Sequence, residues 1–305
     1  MKKLSVKDLI TVGDLTPEEI RRIFNLTFKL KKKNKKYLKD KTLGMIFEKS
    51  STRTRVSFEV GMFQLGGTAL FLSKNDLQLG RGETIKDTAL VLARYLDGIM
   101  IRAYSHKNVL ELAKYSSIPV INGLTDLLHP CQALSDFFTI LEFKGTVKNL
   151  KIGYIGDGNN VANSLVITAA KLGANITIAS PEGYFINKAI EEQAREFAKK
   201  SGSVIILSKD PLEAAKEADV LYTDVWVSMG QESEKEKKIS IFQNYRIDSD
   251  LLKKAREDVI VLHCLPAHRG EEITDEVMDG SRSVIFDQAE NRLHTQKAIM
   301  TLLMY

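Results

Sequence analysis

Short β-rich runs alternate with helical patterns along nearly the whole chain, and this alternation restricts the fold more than any other feature. The runs TLGMIF, TALFL, DGIMI and IPVIN come first, with helical segments between them. A second series opens at KIGYIG and continues through NITIAS, SVIIL, ADVLYT, VIVLHCLP and SVIFD, again separated by helical stretches such as NKAIEEQAREFAKK. Strands spaced by helices pair in parallel, because a crossover helix returns the chain to the same end of the sheet. The expected fold is α/β, with two similar-sized domains, each a parallel sheet flanked by helices. The turn near Gly145 sets the expected boundary, giving domains 1–145 and 146–289. HPCQALSDFFTILEFKG is read as one interdomain helix, and the C-terminal stretch 290–305 as a second that packs back on the first domain. Ahead of the strands, TPEEIRRIFNLTFKL reads as a helix capped by Thr16 with Pro17 at its first position.

A chain of 305 residues, 44% of them hydrophobic, is long enough for two ordinary cores. No apolar run reaches the roughly 18 residues of a membrane span, and MKKLSVKDLITVGD has no apolar core of signal-peptide length. Cys131 and Cys264 lie far apart and form no disulfide framework, which fits a reducing compartment. The expectation is a soluble cytoplasmic protein with no membrane partner. The net charge of +5 is too small to imply nucleic acid without a localised basic face. KLKKKNKKYLKDK is read instead as the solvated tail of an amphipathic helix, its lysines complementing the helix dipole.

Ligands of parallel sheets bind outside the carboxyl ends of the strands, so residues just after each apolar run carry the functional reading. In FEKSSTRTRVSFE, Ser51, Thr52 and Thr54 and the free N–H groups of a first helical turn would converge on an anion. Arg53 and Arg55 add guanidinium forks suited to phosphate, although alternating positions need not face the same way. The competing reading is an ordinary Ser/Thr cap with exposed arginines. GYIGDGNNVANS supplies the first two glycines of a dinucleotide fingerprint, Gly156 and Gly158. Val161 stands at the third, and Ser180 and Pro181 follow the next strand where an acidic residue would be needed, so NAD is not expected. Asn159 and Asn160 either orient a polar small molecule or serve a turn and cap. Other strand ends carry Arg102, His129 with Gln132, Asp224, Cys264 and Arg292. His129 reads as a helix cap before Pro130, and a purely structural histidine is the alternative. Zinc through His129, Cys131, His263 and Cys264 matches no standard spacing. A Cys264 nucleophile activated by a histidine is a further alternative.

The succession STRTR, HPCQ, DGNN, DVWVSMG, HCLP and ENRLH, in that order over nearly the whole chain, resembles the ornithine carbamoyltransferases of the aspartate/ornithine carbamoyltransferase superfamily. STRTR is common to the superfamily, whereas SMG with HCLP points to ornithine. Aspartate-specific members typically carry HPTQ or HPSQ, HPLP, and a lysine in the loop equivalent to DLQLGRGE. Here Asp76, Gln78 and Arg81 stand in that loop, with no lysine between Lys74 and Lys86.

The resemblance implies that Ser51, Thr52, Arg53 and Thr54 hold the phosphate of carbamoyl phosphate. Arg102, His129, Gln132 and Arg292 hold its remaining oxygens, and Cys264 and Leu265 lie where the two substrates meet. It implies an ornithine site of Asn160, Asp224, Ser228 and Met229, and a homotrimer, or an assembly of trimers, in which Gln78 reaches into a neighbouring subunit. Domain 1–145 would then bind carbamoyl phosphate and 146–289 ornithine. The implied reaction gives citrulline and phosphate in arginine biosynthesis, with no metal and no organic cofactor. Arg102 and His129 would polarise the carbamoyl group, while Asp224 and Cys264 orient the attacking amine. WVSMGQESEKEKK is expected to close over ornithine once carbamoyl phosphate has bound. Catabolic use in reverse, transfer to putrescine or an acetylated ornithine, and a binding protein without turnover are the alternatives.

Overall fold

The computed structural model describes residues 2–75, 77–78, 82–227 and 232–305. They form two compact units, Met1–Ser135 with Asn291–Tyr305, and Asp136–Glu290. The first unit contains α1 (Pro17–Lys32), β1 (Thr42–Phe47), α2 (Thr52–Leu65), β2 (Thr68–Ser73), α3 (Ile85–Tyr95), β3 (Gly98–Arg102), α4 (His106–Tyr115) and β4 (Val120–Leu124). Then α5 (Pro130–Lys144) carries the chain across the division. The second unit holds β5 (Lys151–Ile155), α6 (Asn160–Leu172), β6 (Asn175–Ala179), α7 (Lys188–Ser201), β7 (Ile205–Ser208), α8 (Pro211–Ala215) and β8 (Val220–Thr223). It continues through α9 (Lys235–Phe242), α10 (Ser249–Leu252), β9 (Ile260–His263) and α11 (Asp275–Met278) into α12 (Ile285–Met304), which returns the chain to the first unit. The division thus falls inside two helices, and its first crossing precedes Gly145.

Both sheets are parallel throughout, in the orders β2-β1-β3-β4 and β7-β6-β5-β8-β9. Strands sandwiched by helices are buried on both faces, which is why GIMIR, VLYT and IVLH read as continuous apolar runs. Each order reverses direction once, between β1 and β3 in the first sheet and between β5 and β8 in the second. Crossover helices leave in opposite directions there and open a crevice at the strands' carboxyl ends.

Helix starts follow cap chemistry. Thr16 accepts the Glu19 N–H while Glu19 accepts the Thr16 N–H, a capping box ahead of α1. One expected strand does not form. In SVIFD only Ser283 bridges Val261, and the chain turns into α12 from Ile285. Two backbone bonds, Val261 N–H to Arg282 and Val284 N–H to Val261, dock the segment on β9 before the helix takes over the remaining apolar residues.

Candidate active site

At the reversal of the first sheet, β1 and β3 run side by side with Phe47 paired to Arg102. The turn after β1 is tied to its neighbours by residues the sequence reading passed over. Glu48 accepts the Tyr104 N–H at 2.9 Å, and buried Lys49 pairs with Asp126 and lies 4.3 Å from the Tyr104 ring. This turn delivers Ser51 as the N-cap of α2, its Oγ accepting the Thr54 N–H at 3.2 Å. The hydroxyl proton of Ser51 remains available to an anion, as does the first turn's positive dipole end. Thr52 is exposed and Arg53 half-buried. Arg55 turns elsewhere, stacking 3.8 Å over Phe71 and pairing with Glu59.

Thr54 is fully buried, and its Oγ1 accepts from Arg292 Nη2 at 2.9 Å. Arg102, His129, Gln132 and Arg292 are each buried to 5% exposure or less. His129 directly precedes Pro130, the first residue of α5, and its carbonyl accepts the Ala133 N–H. Burial, reinforced by the charges of Arg292 and Arg102, holds the imidazole well below its usual pKa. His129 is therefore neutral at physiological pH and can donate a hydrogen bond without carrying charge. Two buried guanidiniums, an imidazole and a helix N-terminus thus gather at the carboxyl ends of the first sheet, a positively charged, donor-rich cluster of the kind that attracts an anion. Gln78, after edge strand β2, is exposed.

At the reversal of the second sheet, Asp224 follows β8 and is 5% exposed. Its carboxylate accepts from Asn159 Nδ2 at 2.7 Å, the Val225 N–H at 2.8 Å and Cys264 Sγ at 2.9 Å. Asn159 is also the N-cap of α6, its Oδ1 accepting from Val161 and Ala162. Of the two adjacent asparagines, Asn159 thus positions the carboxylate, while Asn160, the first helical residue, is half-buried. Gly158 has a different task from that of a nucleotide fingerprint. A Cβ there would stand 2.3 Å from backbone atoms of Phe185 and Ile186, and its N–H bonds the Tyr184 carbonyl. The close approach that glycine permits is to the chain's own backbone.

Cys264 is half-buried at the end of β9 and donates its S–H to Asp224. His263 does not serve it as a base. Its Nδ1 accepts the Leu265 N–H and its Nε2 meets Glu272, both at 2.9 Å, so the ring is a strut of the strand end. Asp224, His263 and Cys264 offer ligand atoms within 4.8 Å of one another, but the imidazole nitrogens are already engaged. Cys131 is fully buried, its thiol pushed up to about 12 by burial despite Arg292. Leu265 adopts φ +59°, a conformation unusual outside glycine. Ser228 and Met229 lie outside the described residues, as do Asp76 and Arg81.

Residues 7–142 match the family profile described as aspartate/ornithine carbamoyltransferase, carbamoyl-P binding domain. Residues 148–303 match the Asp/Orn binding domain of the same family. The chain is 58% identical over 303 residues to the ornithine carbamoyltransferase of Caldicellulosiruptor saccharolyticus, covering 98% of each chain. It is 55% identical over 306 residues to that of Thermococcus kodakarensis, covering 99% of this chain and 97% of the relative. Among solved structures, ornithine carbamoyltransferase from Pyrococcus furiosus superposes with a TM-score of 0.96 at 54% identity, over 100% of this chain and 99% of the other. With both profiles covering nearly its whole length, this chain belongs to the aspartate/ornithine carbamoyltransferase family.

Proposed function

We infer that the chain transfers the carbamoyl group of carbamoyl phosphate to the side-chain amine of L-ornithine, releasing L-citrulline and phosphate. The observation that carries this reading is chemical complementarity at the two sheet reversals. One presents hydroxyls, guanidiniums and a helix N-terminus to an anion. The other presents a carboxylate, held by three donors, to an amine.

In the first unit, the first turn of α2 with Ser51, Thr52, Arg53 and Thr54 binds the phosphate. Arg102, His129, Gln132 and Arg292 serve the remaining oxygens. Attack by the amine places negative charge on the carbamoyl oxygen, and donors already aimed there lower the barrier without reorganising. Arg102 and neutral His129 fill that role. In the second unit Asp224, supported by Asn159, receives the amine, and Asn160, Ser228 and Met229 belong to the same site by family resemblance. An amine of the lysine type has an ordinary pKa of about 10.4, so it must give one proton to solvent before the neutral nitrogen attacks. Attack leaves that nitrogen with a surplus proton, which passes to the phosphate as the carbon–oxygen bond to it breaks. Cys264 and Leu265 stand at the end of β9, with Cys264 hydrogen-bonded to Asp224.

A homotrimer fits the first unit. Val56, Val60 and Phe63 of α2 and Leu70 and Phe71 of edge strand β2 are exposed, an apolar face that a second copy would cover. Gln78 lies in the loop beyond that edge, where it can serve a neighbour's pocket. No helix among the described residues is long and apolar enough to cross a membrane, and both cysteines are free, which supports a cytoplasmic enzyme. A citrulline assay with carbamoyl phosphate and, in parallel, ornithine, putrescine or N-acetylornithine tests the assignment. Turnover with ornithine at least about 100-fold above the other acceptors is expected from a site built around specific polar contacts. Preference for either other amine would overturn it.

A further inference from the structure

Asp157 and Lys238 form an ion pair inside the second unit that none of the roles above uses. Lys238 Nζ donates to Asp157 Oδ2 at 2.7 Å, and the residues are 2% and 7% exposed. The ammonium also lies 5.5 Å from the Tyr184 ring centroid. Lys238 projects from α9, whose Phe242 stacks on Trp226 at 5.9 Å, so the helix is fixed in the core at a second point. Asp157 sits in the loop between β5 and α6. Its carbonyl accepts the Tyr154 hydroxyl at 2.8 Å and the Asn159 N–H at 2.7 Å. Asn159 in turn holds Asp224. A continuous chain of contacts therefore runs from Lys238 through Asp157 and Asn159 to the carboxylate that receives the amine.

Removing two charges from water is costly, and well-packed apolar residues of the same volume are often at least as stabilising. Stability alone is a weak reason for this pair. We propose that Lys238 is a positioning residue for ornithine: through Asp157 it fixes the loop that presents Asn159 to Asp224. The electrostatics point the same way. Burial pushes the Asp157 carboxyl up, Lys238 pulls it down, and the charge of Asp224 pushes it up again. The charge of Asp224 is thus close enough to disfavour ionisation of Asp157, and the ammonium of Lys238 works against that effect. Without Lys238, a buried Asp157 takes up a proton rather than remain an unpaired anion. The loop then loses the anchor that orients Asn159.

The proposal rests on reading the second unit as the ornithine side, and the experiment separates the two. Steady-state citrulline formation is measured for Lys238→Met, Lys238→Arg and Asp157→Asn, with Asp224→Asn as the control for the site itself and thermal unfolding recorded for each. Lys238→Met is expected to raise the ornithine KM about 10-fold or more, the scale of a misplaced positioning contact, with the carbamoyl phosphate KM within about twofold. Lys238→Arg keeps the charge and should recover most of the loss. Should Lys238→Met not fold, Asp157→Asn, which is nearly isosteric, is read by the same criteria. An unchanged ornithine KM with only a lowered Tm, or a parallel rise of both KM values, overturns the positioning role of Lys238. If Asp224→Asn also leaves ornithine kinetics untouched, the ornithine-site reading falls with it.

Discussion

Asp224→Asn is the substitution whose consequence the structure specifies most fully. The carboxylate faces three donors: Asn159 Nδ2 on one oxygen, and the Val225 N–H and Cys264 Sγ on the other. An asparagine must turn its NH2 toward one side or the other, so a donor meets a donor whichever way it lies. Hydrogen bonds to a charged group contribute about 1.5–3 kcal/mol and neutral ones about 1 kcal/mol, so stability should fall by roughly 2 kcal/mol. The larger effect is on the substrate. An ammonium deprived of its buried charged partner loses about 2–5 kcal/mol, equivalent to a roughly 30-fold to several-thousand-fold drop in kcat/KM for ornithine. The assay is citrulline formation against ornithine at saturating carbamoyl phosphate, with folding checked by thermal unfolding. The carbamoyl phosphate KM should stay within about twofold, because that substrate is assigned to the other unit. A folded variant whose ornithine kcat/KM stays within about threefold of wild type would refute the reasoning.

Three further outcomes follow from other parts of the molecule. Burial tends to raise the Glu19 carboxyl, but hydrogen bonds from Ser5 and Thr16 prevail and lower it from 4.5 to about 2. A depressed folded pKa contributes stability above the unfolded value and loses it as pH falls between about 4.5 and 2, so Glu19→Gln should flatten that part of the acid unfolding curve. Gly158→Ala would set a methyl 2.3 Å from the backbone of residues 185 and 186 and should destabilise by about 3 kcal/mol, the upper end for overpacking, seen as a lower urea midpoint. If the exposed face of α2 and β2 makes a ring, Arg53→Ala and Gln78→Ala subunits refolded together should recover about a quarter of wild-type activity under threefold symmetry. Given that each variant alone is inactive and the wild type refolds, absence of recovery would place Gln78 outside its neighbour's site.

The alternation of strands and helices was legible because buried parallel strands are apolar on both faces and end abruptly in polar residues. Ser51, Arg102, Asp224 and Cys264 could be picked out for that reason, each standing where an apolar run stops. Asn159 and Asn160 could not be told apart, because which of two identical neighbours becomes the cap is decided by backbone conformation. Lys238 was hidden in the charged run EKEKK. Its only sequence signal is the four-residue spacing to Phe242, which puts it on the buried face of a helix. His263 looked like a ligand or base beside Cys264, yet its partners Leu265 and Glu272 make it structural. SVIFD carried a strand's composition, but after one bridge residue the longer helical run won.

The central claim assigns carbamoyl phosphate to the first sheet's reversal and the amine to the second's, and calorimetry can separate them. A phosphonate analogue of carbamoyl phosphate, with carbon in place of the bridging oxygen, is titrated into wild type, Arg53→Ala and Asp224→Asn. Arg53→Ala should weaken binding by about 2–5 kcal/mol, the cost of removing a charged partner from a bound anion. Asp224→Asn should bind the analogue as the wild type does. Normal binding to Arg53→Ala, or an equal loss in both variants, would contradict the account.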